Sequence, residues 1–528
     1  MPSDNPVTGR DQVPLAADGS SEPAASPPGR LATAAAAPPF DRRVIAVSGV
    51  VFVVLMALSA RYGFFGDELY MLDCARHLQA SYVDQPVLAP LLARLSLSVF
   101  GLWLPGLRLW PALAAGTTVV VGGLTAREFG GGRRAQLLAA IATATTPAVL
   151  GSGHVANTTS LMITAWAGLA LIVARIGRTG DRRWWLAAGV IAGLGAEDNH
   201  LVGIFAVALV AAALLSGGRR LVASRWFLAG AVIAVAFLIP DLWWQAQHGW
   251  ATIAMTHALN HKNGGAGHIA TWIVGQLLIT VLPMVVVWAA GLRFLWRSGR
   301  PLWRALVWAY GLLFVVFALT TGGQFYYLAG CYVYLLAAGA VSLDRWLHER
   351  AARLHTLLAA TAIAAAASAI AVLPVLPPAS AAWTSKLSSI PGGTIGWPQL
   401  VRTVAGVWRS LPPRQRQGAV IFTGSYSEAA AITELGRGTG LPAAVSAHNT
   451  EWWWGPGKPR ATTVLDVAPG GASGAVAYLH RFFTSVHTVA TLSNPYGVHN
   501  ADWGGHVYLC TGPRQPWGSM WPRLRHYD

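Results

Sequence analysis

About eleven apolar runs, most of them near the roughly 20 residues that carry a helix across a bilayer, leave this chain little choice of fold. They cover residues 44–60, 104–126, 135–150, 159–176, 184–196, 200–216, 226–244, 269–295, 302–320, 326–343 and 354–373. Runs 184–196 and 200–216 are short enough to be tilted, broken or partly re-entrant. Only 11% of the 528 residues are charged and 54% are hydrophobic, against about 25% charged in soluble domains. The expected fold is a mostly α, polytopic membrane bundle.

The charge pattern orients it. The net charge of +16 would suit a nucleic-acid binder, but 24 Trp and the apolar runs argue for a bilayer, and no nucleic-acid partner is expected. If the spans alternate, the basic segments 41–43, 133–134, 175–183, 219–225, 293–304 and 345–353 share one side, which the positive-inside rule makes the cytoplasm. Segments 61–103, 151–158, 197–199, 245–268 and 321–325, and everything after 373, then face outward from the cytoplasmic membrane. Residues 1–40, rich in Ala, Pro, Ser and Gly, read as a disordered cytoplasmic tail without the order of a signal peptide. Residues 41–373 form the membrane domain. After a Pro-rich boundary at 374–378, residues 374–528 read as a small extracytoplasmic α/β domain, with strands at 418–423, 461–467 and 507–509 and helices at 427–435 and 474–483. Cys74, Cys331 and Cys510 are too far apart and too few for a disulfide framework or a metal pattern.

The chemistry-bearing stretch is the first outer loop, 61–103. Asp67 and Glu68 follow the first span directly, with Asp73, Arg76, His77 and Asp84 close behind. Carboxylates beside hydrocarbon need water, a partner or a substrate. Two roles fit Asp67: a helix N-cap, or a general base taking a proton from an acceptor hydroxyl. Glu68 suits a partner for Arg61 or Arg76, or an acceptor for a sugar hydroxyl. Asp84 in Asp84-Gln85-Pro86 caps a second interfacial helix or joins the site.

The sequence GFFGDELYMLDCARHL followed by SYVDQPVLAPLLARL closely resembles the first outer loop of bacterial membrane glycosyltransferases of glycosyltransferase family 39. These are relatives of protein O-mannosyltransferases and of the lipid A aminoarabinose transferase. The resemblance continues in His154-Val155-Ala156-Asn157, in Pro240–Gln245 with His248-Gly249-Trp250, in Gln324–Ala329, and in His448–Gly457. It implies a GT-C architecture, a polyprenyl-phosphate-linked sugar donor, and transfer at the outer membrane face to a glycan, glycolipid or protein, usually with inversion. Asp67 falls on the family's catalytic base and Glu68 on its second acidic position. Asp84, Gln85, His154 and Asn157 become candidate substrate contacts.

A lipid-phosphate leaving group is already activated, so the enzyme must orient the acceptor, take a proton and stabilise the departing phosphate. Lys262, the lone Lys of the membrane region, is the candidate for that phosphate, or a solvated loop residue. Tyr326 and Tyr327 suit phosphate or sugar, or an interfacial aromatic belt. The chain departs from relatives at Val87, where many have a second Pro, and at Gln85, where the aminoarabinose transferases have Lys. The polar block Glu197-Asp198-Asn199-His200 is a turn, a partner for basic groups, or a cation site. Trp452–Trp454 would stack on sugar or pack against bilayer or loop. Some relatives bind a divalent ion, but no paired-ligand spacing calls for a metal here, and no cofactor is firmly implied. The competing readings are a transporter or flippase of lipid-linked sugars, and a silent binder. A transporter concentrates its ionisable groups near the midplane, whereas here they gather at one face.

Overall fold

Proline decides where several of the apolar runs stop being single helices. The computed structural model describes residues 36–262, 266–320, 324–347, 352–471 and 474–527; most of the expected tail lies outside the described residues. Among them, six helices are long and apolar enough to cross a membrane: Leu104–Glu128, Thr159–Thr179, Arg225–Gln247, Pro301–Leu319, Phe325–Leu347 and His355–Val372. Two bent pairs raise the number to eight. Run 135–150 divides into Arg133–Ala144 and Pro147–His154, which meet at 57°. Run 269–295, expected as one span, is instead His268–Leu278 and Leu282–Arg297 at 91°. Each second helix has Pro in its first turn, where the missing N–H is harmless but the ring blocks continuation of the preceding helix. The remaining expected spans are the shorter helices Arg43–Leu58, Trp184–Ala196 and Leu201–Leu215, of 16, 13 and 15 residues.

Helices of the bundle approach closely where side chains are absent. A Cβ on Gly291 would lie 2.0 Å from the backbone oxygen of Leu335, so these two helices touch backbone to backbone, the packing small residues permit in membranes.

The C-terminal region is α/β, with a five-stranded sheet. β1 (Ala419–Thr423), β2 (Val445–Ser446), β3 (Thr463–Ala468), β4 (Phe483–Thr491) and β5 (His506–Pro513) lie in the order β2-β1-β3-β5-β4. β1 pairs parallel with β2 and β3, while β5 is antiparallel to β3 and β4. β1 and β3 are buried along their whole length. The expected strands overlap β1, β3 and β5, and the expected helix at 427–435 is Tyr426–Leu435. The helix expected over 474–483 is confined to Ala475–Leu479, and β4, unforeseen, starts where it was to end. Residues 484–489, Thr-Ser-Val-His-Thr-Val, form a half-exposed edge strand whose polar content hides it from a hydropathy reading.

One amphipathic helix binds this region to the first outer loop. Trp397–Ser410 buries Trp397, Leu400, Val401, Val404, Ala405 and Trp408, the one-sided spacing of a helix with a single apolar face. That face shares an apolar core with Leu69 of the loop helix Gly66–Arg76.

Candidate active site

The helix Gly66–Arg76 starts after Phe65, whose backbone is extended (φ −84°, ψ 152°). Gly66 is required where it stands, since a Cβ there would lie 2.7 Å from Ser427 Oγ. The helix is capped by Glu68, whose Oε2 accepts the Phe65 N–H at 2.8 Å. The capping role weighed for Asp67 therefore belongs to its neighbour.

Glu68 is fully engaged. Arg108 donates Nε to Oε1 and Nη2 to Oε2, both at 2.8 Å, and the Ala156 N–H reaches Oε1 at 2.9 Å. Arg108 also donates to the carbonyls of Ser59 at 2.9 Å and Gly63 at 2.8 Å, and its Nη1 lies 3.2 Å from His154 Nε2. Glu68 and Arg108 are 0% and 1% exposed. A bidentate pair of this kind is held as one unit, and no lone pair of Glu68 remains for a sugar hydroxyl. Its expected partners are elsewhere: Arg76 pairs with Glu434 at 2.6 and 2.8 Å, and Arg61 donates to the carbonyls of Val375 and Leu376. Arg108 was legible in one respect. It is the single charged residue of run 104–126, and a lone Arg in a span calls for a buried acid.

One residue away the situation reverses. Asp67 is half-buried and accepts a long hydrogen bond, 3.4 Å, from the Tyr426 hydroxyl, with the Asn157 side chain as a further stabilising partner. Asp84, also half-buried, accepts from Tyr70 at 2.9 Å and from Asn449 Nδ2 at 3.4 Å. Neither carboxylate has an Arg or Lys partner among the described residues. Burial, and then the charge of Asp84, push Asp67 up to about 6. Burial raises Asp84 to about 6 as well, with Tyr70, Asn449 and His200 pulling the other way. Loss of hydration and a like charge are what lift a carboxyl this far.

The walls of this acid pair come from distant parts of the chain. Tyr70 stacks on Tyr426 at 4.3 Å, and Tyr426 on His448 at 4.6 Å. Asn449 takes the left-handed backbone (φ 47°), and its N–H is held by the His526 carbonyl at 3.1 Å. Tyr326 stands within electrostatic reach of Tyr426 and Asp67. Tyr327 packs instead edge-on against Phe317, 5.5 Å between centroids. Tyr426 carries no sequence signal, because its partner Asp67 lies 359 positions away; Tyr70 and Asn449 lie in stretches that carry the resemblance, but their contacts with Asp84 could not be read from it.

The other expected contacts divide. Asn157 joins Asp67, while His154 is buried behind it on Arg108. Gln85 is buried with its amide 3.8 Å from Cys74 Sγ. Lys262 closes the helix Ala251–Lys262, and its side chain lies outside the described residues. The Glu197–His200 block acts as a turn that also braces the loop. Asn199 caps Leu201 at 3.0 Å, the Glu197 carbonyl accepts from Leu88 N at 2.8 Å, and His200 Nε2 meets Asp241 Oδ2 at 3.1 Å. Asp241 in turn accepts from Ser81 Oγ at 2.5 Å. Burial and the charge of Asp241 raise Glu197 to about 7. No group of three or more His, Cys, Asp or Glu comes together as a metal site among the described residues.

Residues 84–244 match the family model for dolichyl-phosphate-mannose-protein mannosyltransferase. No curated protein matches the chain by sequence. Among solved structures, ArnT from Cupriavidus metallidurans bound to undecaprenyl phosphate superposes with a TM-score of 0.61 at 15% identity, over 88% of this chain and 97% of that one. Its apo form gives 0.61 at 14% identity with the same coverage. The arabinofuranosyltransferase AftD from Mycobacteria reaches 0.49 at 15% identity, over 90% of this chain and 42% of the other. The match to ArnT, which spans 88% of this chain, shows a shared fold.

Proposed function

We propose that the chain is a membrane glycosyltransferase of the GT-C kind, which the family match over residues 84–244 and the shared fold support, and that it moves a sugar from a polyprenyl-phosphate donor to an acceptor at the outer face of the cytoplasmic membrane, with Asp67 as general base. The observation that carries this reading is the contrast between a saturated Glu68 and an Asp67 that keeps lone pairs free beside Asp84. A carboxylate with a pKa near 6 is ionised at neutral pH and more basic than an ordinary aspartate, as general-base catalysis favours. Asp84, held by Tyr70 and Asn449, is the more firmly fixed of the two. It suits orientation of the acceptor rather than proton removal.

The lipid part of the donor has a fitting surface. A shallow apolar cleft is lined by Leu92, Ala93, Leu107, Trp110 and Leu161, with Asn157 among its lining residues. An isoprenoid chain in such an apolar cleft would bring its phosphate toward the residue that also touches Asp67. The ArnT structure that shares this fold contains undecaprenyl phosphate, which supports a lipid-linked donor. The topology of eleven spans, the outward-facing C-terminal domain and the cytoplasmic N-terminus belong to the same reading, supported by the clustering of basic segments on one side of the alternation.

The test is sugar transfer in proteoliposomes from a panel of radiolabelled polyprenyl-phosphate sugars. Wild type transfers from at least one donor, and Asp67→Asn loses transfer while still binding that donor. Full activity in Asp67→Asn removes the base. Movement of a donor across the bilayer without transfer would instead favour the flippase.

A further inference from the structure

Near the end of the chain, a guanidinium stands among aromatic rings with no acid beside it among the described residues. Arg525 lies 4.5 Å from the Trp452 ring centroid, 4.8 Å from Trp453 and 5.0 Å from Tyr527. Cation–π contacts stabilise such a group, most where it is partly desolvated, but they leave its N–H donors unused. The Arg525 guanidinium donates to the Tyr527 hydroxyl, and among the described residues it has no carboxylate partner. Its Nε is buried without a hydrogen-bond partner, and so is Nε1 of Trp453. Buried donors in native proteins nearly always find an acceptor. Two orphaned donors on adjoining side chains call for an anion.

The place narrows which anion. Trp453 and Tyr527 pack against Trp244, Val83 and Ala251. Trp244 belongs to the last turn of the candidate span Arg225–Gln247, where His248 stacks on it at 3.8 Å and meets Trp453 edge-on at 4.7 Å. Around that helix end, Trp243 and Trp250 are 60% and 46% exposed, as aromatic side chains are at the membrane–water boundary. Arg525 therefore stands at the level of lipid headgroups. The position is also fixed, because His526 pairs with His448 in a strand bridge and holds the N–H of Asn449, the residue that reaches Asp84.

We propose that Arg525, with Trp453 Nε1, binds the phosphate of a membrane lipid at the foot of the C-terminal region. The planar guanidinium offers paired donors to phosphate oxygens, while the rings that flank it exclude water. The phosphate can come from a polyprenyl phosphate or from a bilayer phospholipid, since both present the same oxygens at the same depth. The inference needs only the membrane placement of the chain, not the transfer reaction.

The experiment uses the full chain in phosphatidylcholine nanodiscs, titrated separately with undecaprenyl phosphate, phosphatidylglycerol and inorganic phosphate. Binding is followed by tryptophan fluorescence and by native mass spectrometry. Arg525→Gln is expected to weaken lipid-phosphate binding about tenfold or more, the scale of a lost charge-assisted hydrogen bond. Arg525→Lys should keep part of the affinity, and Trp453→Phe should lose several-fold while retaining the ring. A loss confined to undecaprenyl phosphate assigns the site to the polyprenyl lipid, and a loss confined to phosphatidylglycerol assigns it to the bilayer. Should Arg525→Gln fail to fold, Arg525→Lys and Trp453→Phe carry the same reading. Equal affinity of wild type and these variants for all three probes would overturn the proposal, as would absence of binding by wild type. Transfer assayed in parallel separates this from the proposed reaction: wild type that binds lipid phosphate but transfers nothing breaks the reaction and leaves the site standing.

Discussion

Two acids in adjacent positions of one helix turn sit in opposite surroundings. Glu68 lies beneath the helix Gly66–Arg76, sealed from water and bound by four donors from Arg108, Ala156 and Phe65. Asp67 lies at the junction with the C-terminal region, beside a second carboxylate and facing tyrosines and amides rather than cations. The difference teaches that an acidic pair in a sequence need not be a functional pair. The buried ion pair anchors the turn where the loop helix begins, and the unneutralised aspartate gains its basicity from burial and from the charge of Asp84.

The comparison breaks most sharply at Asp67. Asp67→Asn should lower transfer by about 100- to 10,000-fold, the usual worth of a general base, measured as initial rate per folded molecule. The same variant should not be destabilised. Because the folded-state pKa of Asp67 lies above its ordinary value, the ionised group costs stability above about pH 6, and this cost vanishes as pH falls below the unfolded value near 4. Asp67→Asn should thus melt at the same or a higher temperature than wild type at pH 7.5, with the gap closing in acid.

Arg108 tests the other half. Arg108→Met leaves the Glu68 charge buried without its cation, so a loss of about 3–5 kcal/mol is expected, seen as a large drop in melting temperature or in folded yield. Double replacement with Glu68→Gln should recover part of it. Retained stability in the single variant would mean that the ion pair is not what anchors the loop.

Smaller effects sharpen the picture. Asp84→Asn removes a like charge from Asp67, so the pH at which transfer reaches half its maximum should move downward. Tyr426→Phe removes a hydrogen bond that favours the Asp67 carboxylate, and the midpoint should move upward by a few tenths of a unit. Both are read from rate against pH. Shifts in the reverse directions would place the titrating group elsewhere.

The bundle was largely legible because apolar runs must report on a bilayer, and the first outer loop because its acids had no business near hydrocarbon. What the sequence hid was pairing across distance. Arg61 and Arg76 are the cations near Glu68 in the chain, yet Arg108, 40 positions away, holds it. Tyr426 reaches the site through an apolar core that the helices Trp397–Ser410 and Tyr426–Leu435 share with Leu69, and nothing local to Tyr426 announces that contact. The bends at Pro147 and Pro283 were masked by continuous hydrophobicity, which a window average reads as one span. Resemblance alone points His154 and Gln85 toward substrate; in the structure one braces Arg108 and the other lies buried beside Cys74.

The most direct test of the central claim is the pH dependence of kcat/KM for sugar transfer by the wild-type protein in proteoliposomes. With Asp67 as base, the rate should rise through about pH 6 and level off above pH 7, an apparent value belonging to the Asp67–Asp84 pair together. A rate independent of pH between about 5 and 8, a range that would carry the pair from mostly protonated to mostly ionised, would contradict it.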